Sequence, residues 1–301
     1  MTTMAKGTQT ANRKTDTKSP SRAVATKNEQ VPAELLKMMQ EDAGKGLSTD
    51  ASDNIVPLVY VLQSNSPALD RANAQMYLGK QAKAGDIWLR GTKTFFPADS
   101  EDDNEEGMLV VPCHFSKCWI EWRPDRGGFV ARHAKRPAAA VLKSEKREGS
   151  DRMRDVWRMP GGNSVQETRE YVVLVLNHPS GRPMPFVIPM TSTQHTAARM
   201  WMSLMNEKTL PGDASKSAPL FSHVYRMKTV AQSNDDGNWY GWQITDAGEE
   251  DGASVPELLQ DLAIYREAKR INEQFNAGTM RADVGDEDEA ASGAGNDDDD
   301  M

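Results

Sequence analysis

The longest stretch of this chain that reads as a single strand is MLVVPCHFSKCWIEW, residues 108–122. Leu109, Val111, Cys113, Phe115 and Trp119 alternate with their neighbours there, as in a strand with one buried face. Such a strand needs neighbours, and the sequence supplies them. IVPLVYVLQ (55–63) and GDIWLRG (85–91) are short apolar runs of strand length. YVVLVLN (171–177) and MPFVIPM (184–190) flank HPSGRP, a Pro/Gly turn signal, and predict a hairpin. LFSHVYRMKTV (220–230) and NWYGWQIT (238–245) flank the polar AQSNDDG and predict a second.

Helical patterns interrupt the strands. STQHTAARMWMSLMN (192–206) sets Ala197, Met200, Trp201, Leu204 and Met205 on one face, with Ser192 or Thr193 as cap. SVPELLQDLAIYREAKRINEQF (254–275) opens with a Ser254/Glu257 capping box and carries Leu258, Leu259, Leu262, Tyr265 and Ile271 as its stripe. Near the start, Pro32 precedes a short helix, AELLKMMQED, with Leu35, Leu36, Met38 and Met39 as its apolar side. Many short strands with helices between hairpins predict a mainly β (α+β) protein, a β-barrel with helical additions and one core from about 50 to 250. An OB-like barrel is one candidate, which periodicity alone does not select.

The hydrophobic fraction, 38%, suits a folded centre with polar tails. Residues 1–30 are basic, hold no aromatic residue and predict a disordered arm. Residues 31–277 then form a single globular domain, and 278–301 a disordered acidic tail. That tail holds nine acidic side chains against one arginine, a net of −8 that equals the charge of the whole chain. The remainder is neutral, yet 113–158 carries twelve Lys/Arg against six Asp/Glu. A basic middle and an acidic end are an informative asymmetry. Two cysteines five apart give no disulfide framework and suit a reducing compartment. With no signal sequence and no run of roughly 20 apolar residues, the expectation is a cytoplasmic protein with no membrane contact.

Enzyme signatures are absent: no Walker A, G-x-G-x-x-G, H-E-x-x-H or G-x-S-x-G sequence occurs. His195 beside a helix cap reads as a hydrogen-bonding residue. The acidic run ADSEDDNEEG (98–107) reads as a solvated loop, since it lacks regular ligand spacing. Cys113 and Cys118 would point to opposite faces of a strand and have no second pair, so packed thiols are favoured over zinc. No metal and no cofactor is expected.

What stands out is CWIEWRPDRGGFVARHAKRP, residues 118–137. Single-stranded nucleic acid exposes phosphates and unstacked bases, and so asks for cations along a path and flat rings to stack on. The candidate binding residues are Trp122, Arg123, Arg126, Phe129, Arg132, Lys135, Arg136, Arg154, Trp157 and Arg158. Lys143 and Arg152 could extend the path. Trp119 continues the apolar alternation and reads as core. Gly127-Gly128 lets the loop bend against a ligand. The tail ends in Asp297, Asp298, Asp299, Asp300 and Met301, an acidic run closed by an apolar residue. Such an anion imitates a nucleic-acid backbone in charge and can occupy basic surfaces.

This layout resembles single-stranded DNA-binding proteins. DNIVPLVYVLQSNSPAL (53–69), GDIWLRG, GMLVVPCHFSKCWIEWRPDRGGFVARH (107–133) and PLFSHVYRMKTVAQSNDDGNWYGWQIT (219–245) are similar to a family of tailed-bacteriophage proteins of that proposed role. The resemblance covers roughly 53–245. It implies an OB-fold body that coats single-stranded DNA and a tail that recruits phage replication or recombination proteins such as polymerase, helicase or recombinase. Self-association is compatible with that role. The alternative is a non-catalytic phage structural or assembly protein, and a nuclease with an unrecognised site ranks last.

Overall fold

The computed structural model describes residues 33–42, 54–73, 76–90, 92, 94–98, 107–124, 128–146, 153–234, 237–248 and 257–283. The expected N-terminal arm, the acidic run (99–106), Arg126, Arg152, Ser254 and the tail from 284 lie outside these residues. The chain divides into two units, Met1–Ser48 and Thr49–Met301. The first contains helix α1 (Ala33–Glu41), which begins just after Pro32 and leaves Leu35, Met38 and Met39 exposed.

Among its described residues the second unit holds fifteen strands and two longer helices. In chain order the strands are β1 (Ile55–Val56), β2 (Val59–Val61), β3 (Ile87–Leu89), β4 (Thr94–Phe96), β5 (Met108–Trp122), β6 (Phe129–His133), β7 (Val141–Lys146) and β8 (Met153–Arg158). They continue with β9 (Ser164–Val175), β10 (Met184–Thr191), β11 (Thr209–Leu210), β12 (Asp213–Ser217), β13 (Tyr225–Asn234), β14 (Gly237–Asp246) and β15 (Arg281–Ala282). Helix α2 (His195–Glu207) follows β10, and α3 (Leu262–Ala277) precedes β15.

Two long strands organise this unit. β5 and β9 run antiparallel from the Val110–Val175 pair to the Trp122–Ser164 pair. At one end the ribbon is widened by β13 and β14 beside β5 and by β10 beside β9. At the other it is widened by β6 beside β5 and by β8 and β7 beside β9. Among the described residues, helices cover both faces at the first end. There Met108, Val110, Tyr171, Val173, Phe186 and Ile188 pack with Trp201 of α2, and Leu109, Val111, Cys113, Val172 and Leu174 pack with Ala268 and Ile271 of α3. Met108 to Cys113 are therefore all buried, where alternation predicts one buried face. A strand covered on both sides loses its polar face.

A bulge breaks the alternation. Pro112 pairs with Val173 and His114 with Val172, so Cys113 is the extra residue. Proline has no N–H to give the ladder, so a break here costs little. Beyond the bulge the faces exchange parity. Phe115 meets Tyr171 on the α2 face (4.9 Å between ring centroids), and His114 stacks on Phe275 of α3 at 5.4 Å. Cys113 and Cys118, expected on opposite faces, therefore share one.

The fold is mainly β, as the strand spacing predicts, and the described strands form separate sheets with no closed barrel among them. The antiparallel β2–β3–β4 sheet covers the α2-side core as a separate three-stranded unit. It meets β10 through a single parallel bridge, Leu58–Val187. Toward β14 a side chain stands in for a strand: Gln63 Nε2 donates to Tyr240 O, and Tyr240 N donates to Gln63 Oε1, both at 2.9 Å.

The predicted hairpins are β9–β10 and β13–β14, and the predicted helix at 192–206 is a short 3-10 turn followed by α2. α3 starts later than expected. Leu258 instead bridges His223, Leu259 N bonds Ser222 O, and the cap is Asp261, whose carboxylate accepts from Ala263 N (2.7 Å) and Ile264 N (3.2 Å). Glu257, assigned to a capping box, binds Lys208, which also holds Asp246 at 2.6 Å. α3 ends at Gly278, whose φ of 71° suits glycine. The chain then returns to the core: β15 pairs in parallel with β1, and Asp283 meets Arg90 at 3.1 Å.

Two predictions follow from this packing. Gln63→Ala strips Tyr240 of both partners beside the core, so urea unfolding should show a loss of about 1–3 kcal/mol. A change within error would mean that the two sheets do not depend on this contact. Burial also holds His114, His178, His195 and His223 below the ordinary histidine value. The folded chain keeps them neutral while the unfolded chain takes up protons below about pH 6.5, so stability falls as pH drops through that point. Thermal melting at pH 7.5 and 5.5 should show it before carboxylates titrate; an equal midpoint would contradict it.

Candidate nucleic-acid interface

The basic, aromatic stretch falls on the end of the ribbon that α2 and α3 leave uncovered. Residues opposite each other on neighbouring strands share a face. Trp119 lies opposite His133 and Glu167, and Trp157 opposite Val165 and Leu142, which puts both tryptophans on the α2 face. Trp122 lies opposite Ser164 and Phe129, Arg132 opposite Ile120, and Arg158 opposite Ser164. These belong to the α3 face, as does Arg154 opposite Glu145. The candidate residues thus divide between two faces of one ribbon and do not line one groove. Arg123, whose N–H bonds Gly128 O at 2.9 Å, closes the β5–β6 turn at the ribbon tip.

On the α3 face two of the cations are ion-paired within the sheet. Arg132 is ion-paired with Glu170 and reaches Ser116 Oγ at 3.3 Å. Arg158 grips Glu145 with two nitrogens, at 2.9 and 2.6 Å, and bonds Gly162 O at 3.2 Å. The Arg158 hydrogen bonds hold the Glu145 carboxyl below its ordinary value. Bidentate pairs of this kind fix both partners. Trp122 and Phe129 meet edge to face at 6.3 Å, and Trp122 Nε1 is buried with no hydrogen-bond partner among the described residues.

The α2 face is built differently. Trp119 and Trp157 meet edge to face, 6.3 Å apart and 89° between planes. Arg136, exposed on the β6–β7 loop next to exposed Lys135, lies over Trp157 at 3.6 Å and 5.8 Å from Trp119. Glu121, beneath this layer, accepts from Asn163 Nδ2 at 2.6 Å and sits 2.8 Å from His133 Nε2. The Asn163 bond, then His133, hold its carboxyl below the ordinary value despite burial. The carboxylate is thus occupied within the protein. Here the cation is outermost and the ring lies directly under it.

Sequence reasoning missed the β7–β8 hairpin and its exposed Val141, Leu142 and Met153. β7 ends the strand order of the sheet. VLKSEK alternates too weakly to announce a strand, so no signal marks these side chains. It also missed Glu170 and Glu145, because an ion pair between strands leaves no local pattern.

Two other groupings bear on chemistry. Ser222 Oγ lies 2.7 Å from His223 Nδ1, and His223 Nε2 lies 3.9 Å from Glu257. The hydroxyl donates to Pro219 O at 2.6 Å and both residues are buried, so this row ties the chain to the Lys208 pair. Among the described residues no three His, Cys, Asp or Glu side chains gather as metal ligands, and no helix is long and apolar enough to cross a membrane. Burial pushes the Cys118 thiol up to about 12 and Cys113 higher still. A thiol-reactive chromophore at pH 8 should therefore label neither cysteine in the native protein and both in denaturant; fast native labelling would contradict the packing.

A comparison with protein families matches residues 26–281 to the Pam3 phage gp34-like protein. Curated proteins yield no match, and solved structures yield none. The family match runs through the whole ribbon and both flanking helices: the chain belongs to the Pam3 phage gp34-like family.

Proposed function

We propose that this phage protein binds single-stranded DNA along the uncovered end of the β5–β9 ribbon, without catalysis and without strong sequence preference. It would coat strands exposed during phage replication or recombination in the host cytoplasm. The observation that carries the reading is the layer on the α2 face, where the Arg136 guanidinium lies 3.6 Å over the Trp157 ring. A cation above an aromatic plane offers a phosphate contact and a stacking surface at one point, the pair that unstructured strands require.

The acidic tail fits the same reading as an internal competitor and a recruiting segment for phage replication proteins. Residues 284–301 hold eight acidic side chains and no basic one. They follow Asp283, whose N–H bonds Val56 O; the next residue, Pro57, accepts at its carbonyl from Val187 N. Val187 faces Val172, and Ser164 near the ribbon tip is eight residues further along β9. That is roughly 26 Å at 3.3 Å per residue, whereas eighteen extended residues span up to about 60 Å. A segment of that length is long enough to span from Asp283 to the ribbon tip.

A second reading is an assembly protein, favoured by the exposed Val141 and Leu142 on the terminal strand β7 and the exposed Met153 on its neighbour β8. Open apolar edges are places where other chains pair.

Tryptophan fluorescence with oligo-dT and a matched duplex at two salt concentrations separates them. Quenching by the single strand, weakened by salt and nearly absent with duplex, is the expected result. No response to either nucleic acid, confirmed by a gel shift, sinks the reading in favour of assembly. Removing 284–301, which spares the Arg90–Asp283 contact, should tighten DNA binding at low salt and weaken partner recruitment; unchanged affinity removes the competing tail.

A further inference from the structure

We infer that Arg136 is a placeholder for a base: when a strand binds, a base takes its position over Trp157 and the guanidinium swings onto the adjoining phosphate. This rests on the single-stranded DNA reading and names the exchange by which its site is filled.

Three observations point to the exchange. The 3.6 Å separation between Arg136 and Trp157 is the spacing of stacked planes, so a flat base fits where the guanidinium lies. The arginine is exposed on a loop, next to Lys135, so its departure uncovers the ring without opening the core. The ring is held in place independently of Arg136: Trp119 buttresses it edge-on at 6.3 Å, and Val165 and Leu142 stand opposite it on the flanking strands. Leu142 is 46% exposed on the same face and extends the flat surface beyond the ring.

Relative strengths favour the swap. An exposed cation–π contact is worth about two- to fivefold in an equilibrium constant, whereas stacking a base is worth about five- to 150-fold. The displaced arginine then gains a phosphate, a partner better matched to its fork than a ring is. Charge sets the direction of the strand. Asp155 shares the face of Trp157 two residues away, opposite Ser144, and Glu167 is paired with Lys117 at 2.8 Å. The backbone is therefore drawn to the loop side, along Lys135 and Arg136, and away from Asp155.

In the free protein the same contact keeps the ring from offering a bare aromatic surface. Arg136 thus acts as a positioning residue twice, as a cover and then as a phosphate clamp.

The test uses the full chain and oligo-dT, read by tryptophan quenching and by the dependence of affinity on salt. Arg136→Ala should keep the quenching amplitude while the slope of log affinity against log salt falls by about 0.7, one phosphate contact on a single strand. Arg136→Lys should restore the slope. Trp157→Leu should weaken binding by about five- to 150-fold and remove much of the quenching, and Trp157→Phe, which keeps a ring and guards against misfolding, should retain most of the affinity. If the wild type binds but Arg136→Ala leaves the slope unchanged and Trp157→Leu leaves affinity unchanged, Arg136 is only a staple for its loop. The inference then falls while DNA binding stands. If the wild type does not bind oligo-dT at all, both fall together.

Discussion

The antiparallel pairing of β5 with β9 is the constraint on which the rest of the architecture hangs. Each strand is longer than the core it crosses, so each serves two neighbourhoods. Along the first half they are shielded on both faces and carry continuous apolar sequence. Along the second they carry rings and charges on a ribbon clad only by short strands. Hydrophobic burial at one end fixes a rigid lever, and the other end inherits that rigidity without contributing much burial of its own. A binding surface made of tryptophans on strands gains from such support, because a ring already held in place loses little freedom when a ligand arrives.

Charge on the ribbon is decided by pairing, and counting misleads. Twelve cations against six anions suggest a uniformly basic strip, yet Arg132 and Arg158 are held by Glu170 and Glu145 in geometries that fix both partners. Those pairs offset two of the cations on one face. Arg136 is set apart by its ring, lying exposed over Trp157 with Lys135 beside it. Few exposed cations, correctly set above a ring, matter more here than the total.

Much of the architecture was legible beforehand, for identifiable reasons. β5 matches its sequence stretch because apolar residues mark its whole length, and the β9–β10 and β13–β14 hairpins follow from polar turns between β-branched runs. The start of α3 was misread because Ser254/Glu257 satisfies the capping pattern as well as Asp261 does, and tertiary pairing of Leu258 with His223 decides between them. The division of the candidate site between two faces follows from alternation along β5 and β8, but which face each ring takes was not legible, since it depends on one unpaired residue in a ladder. β7 and β8 were missed because half-exposed strands need little apolar periodicity. The Gln63–Tyr240 contact joins residues far apart in the chain, and nothing local announces it.

The bulge at Cys113 works as a phase shifter. Every side chain of β5 beyond it is displaced by one step relative to the first half, so the two halves of a single strand obey opposite rules of orientation. Loss of that one residue would leave every pair of the ladder as it stands, Trp119 opposite Glu167 and Trp122 opposite Ser164, whereas a strand that kept Cys113 in plain alternation would send both rings to the other side of the sheet. The extra residue thus absorbs a one-step offset between the two halves of β5, so that both keep step with the uninterrupted β9.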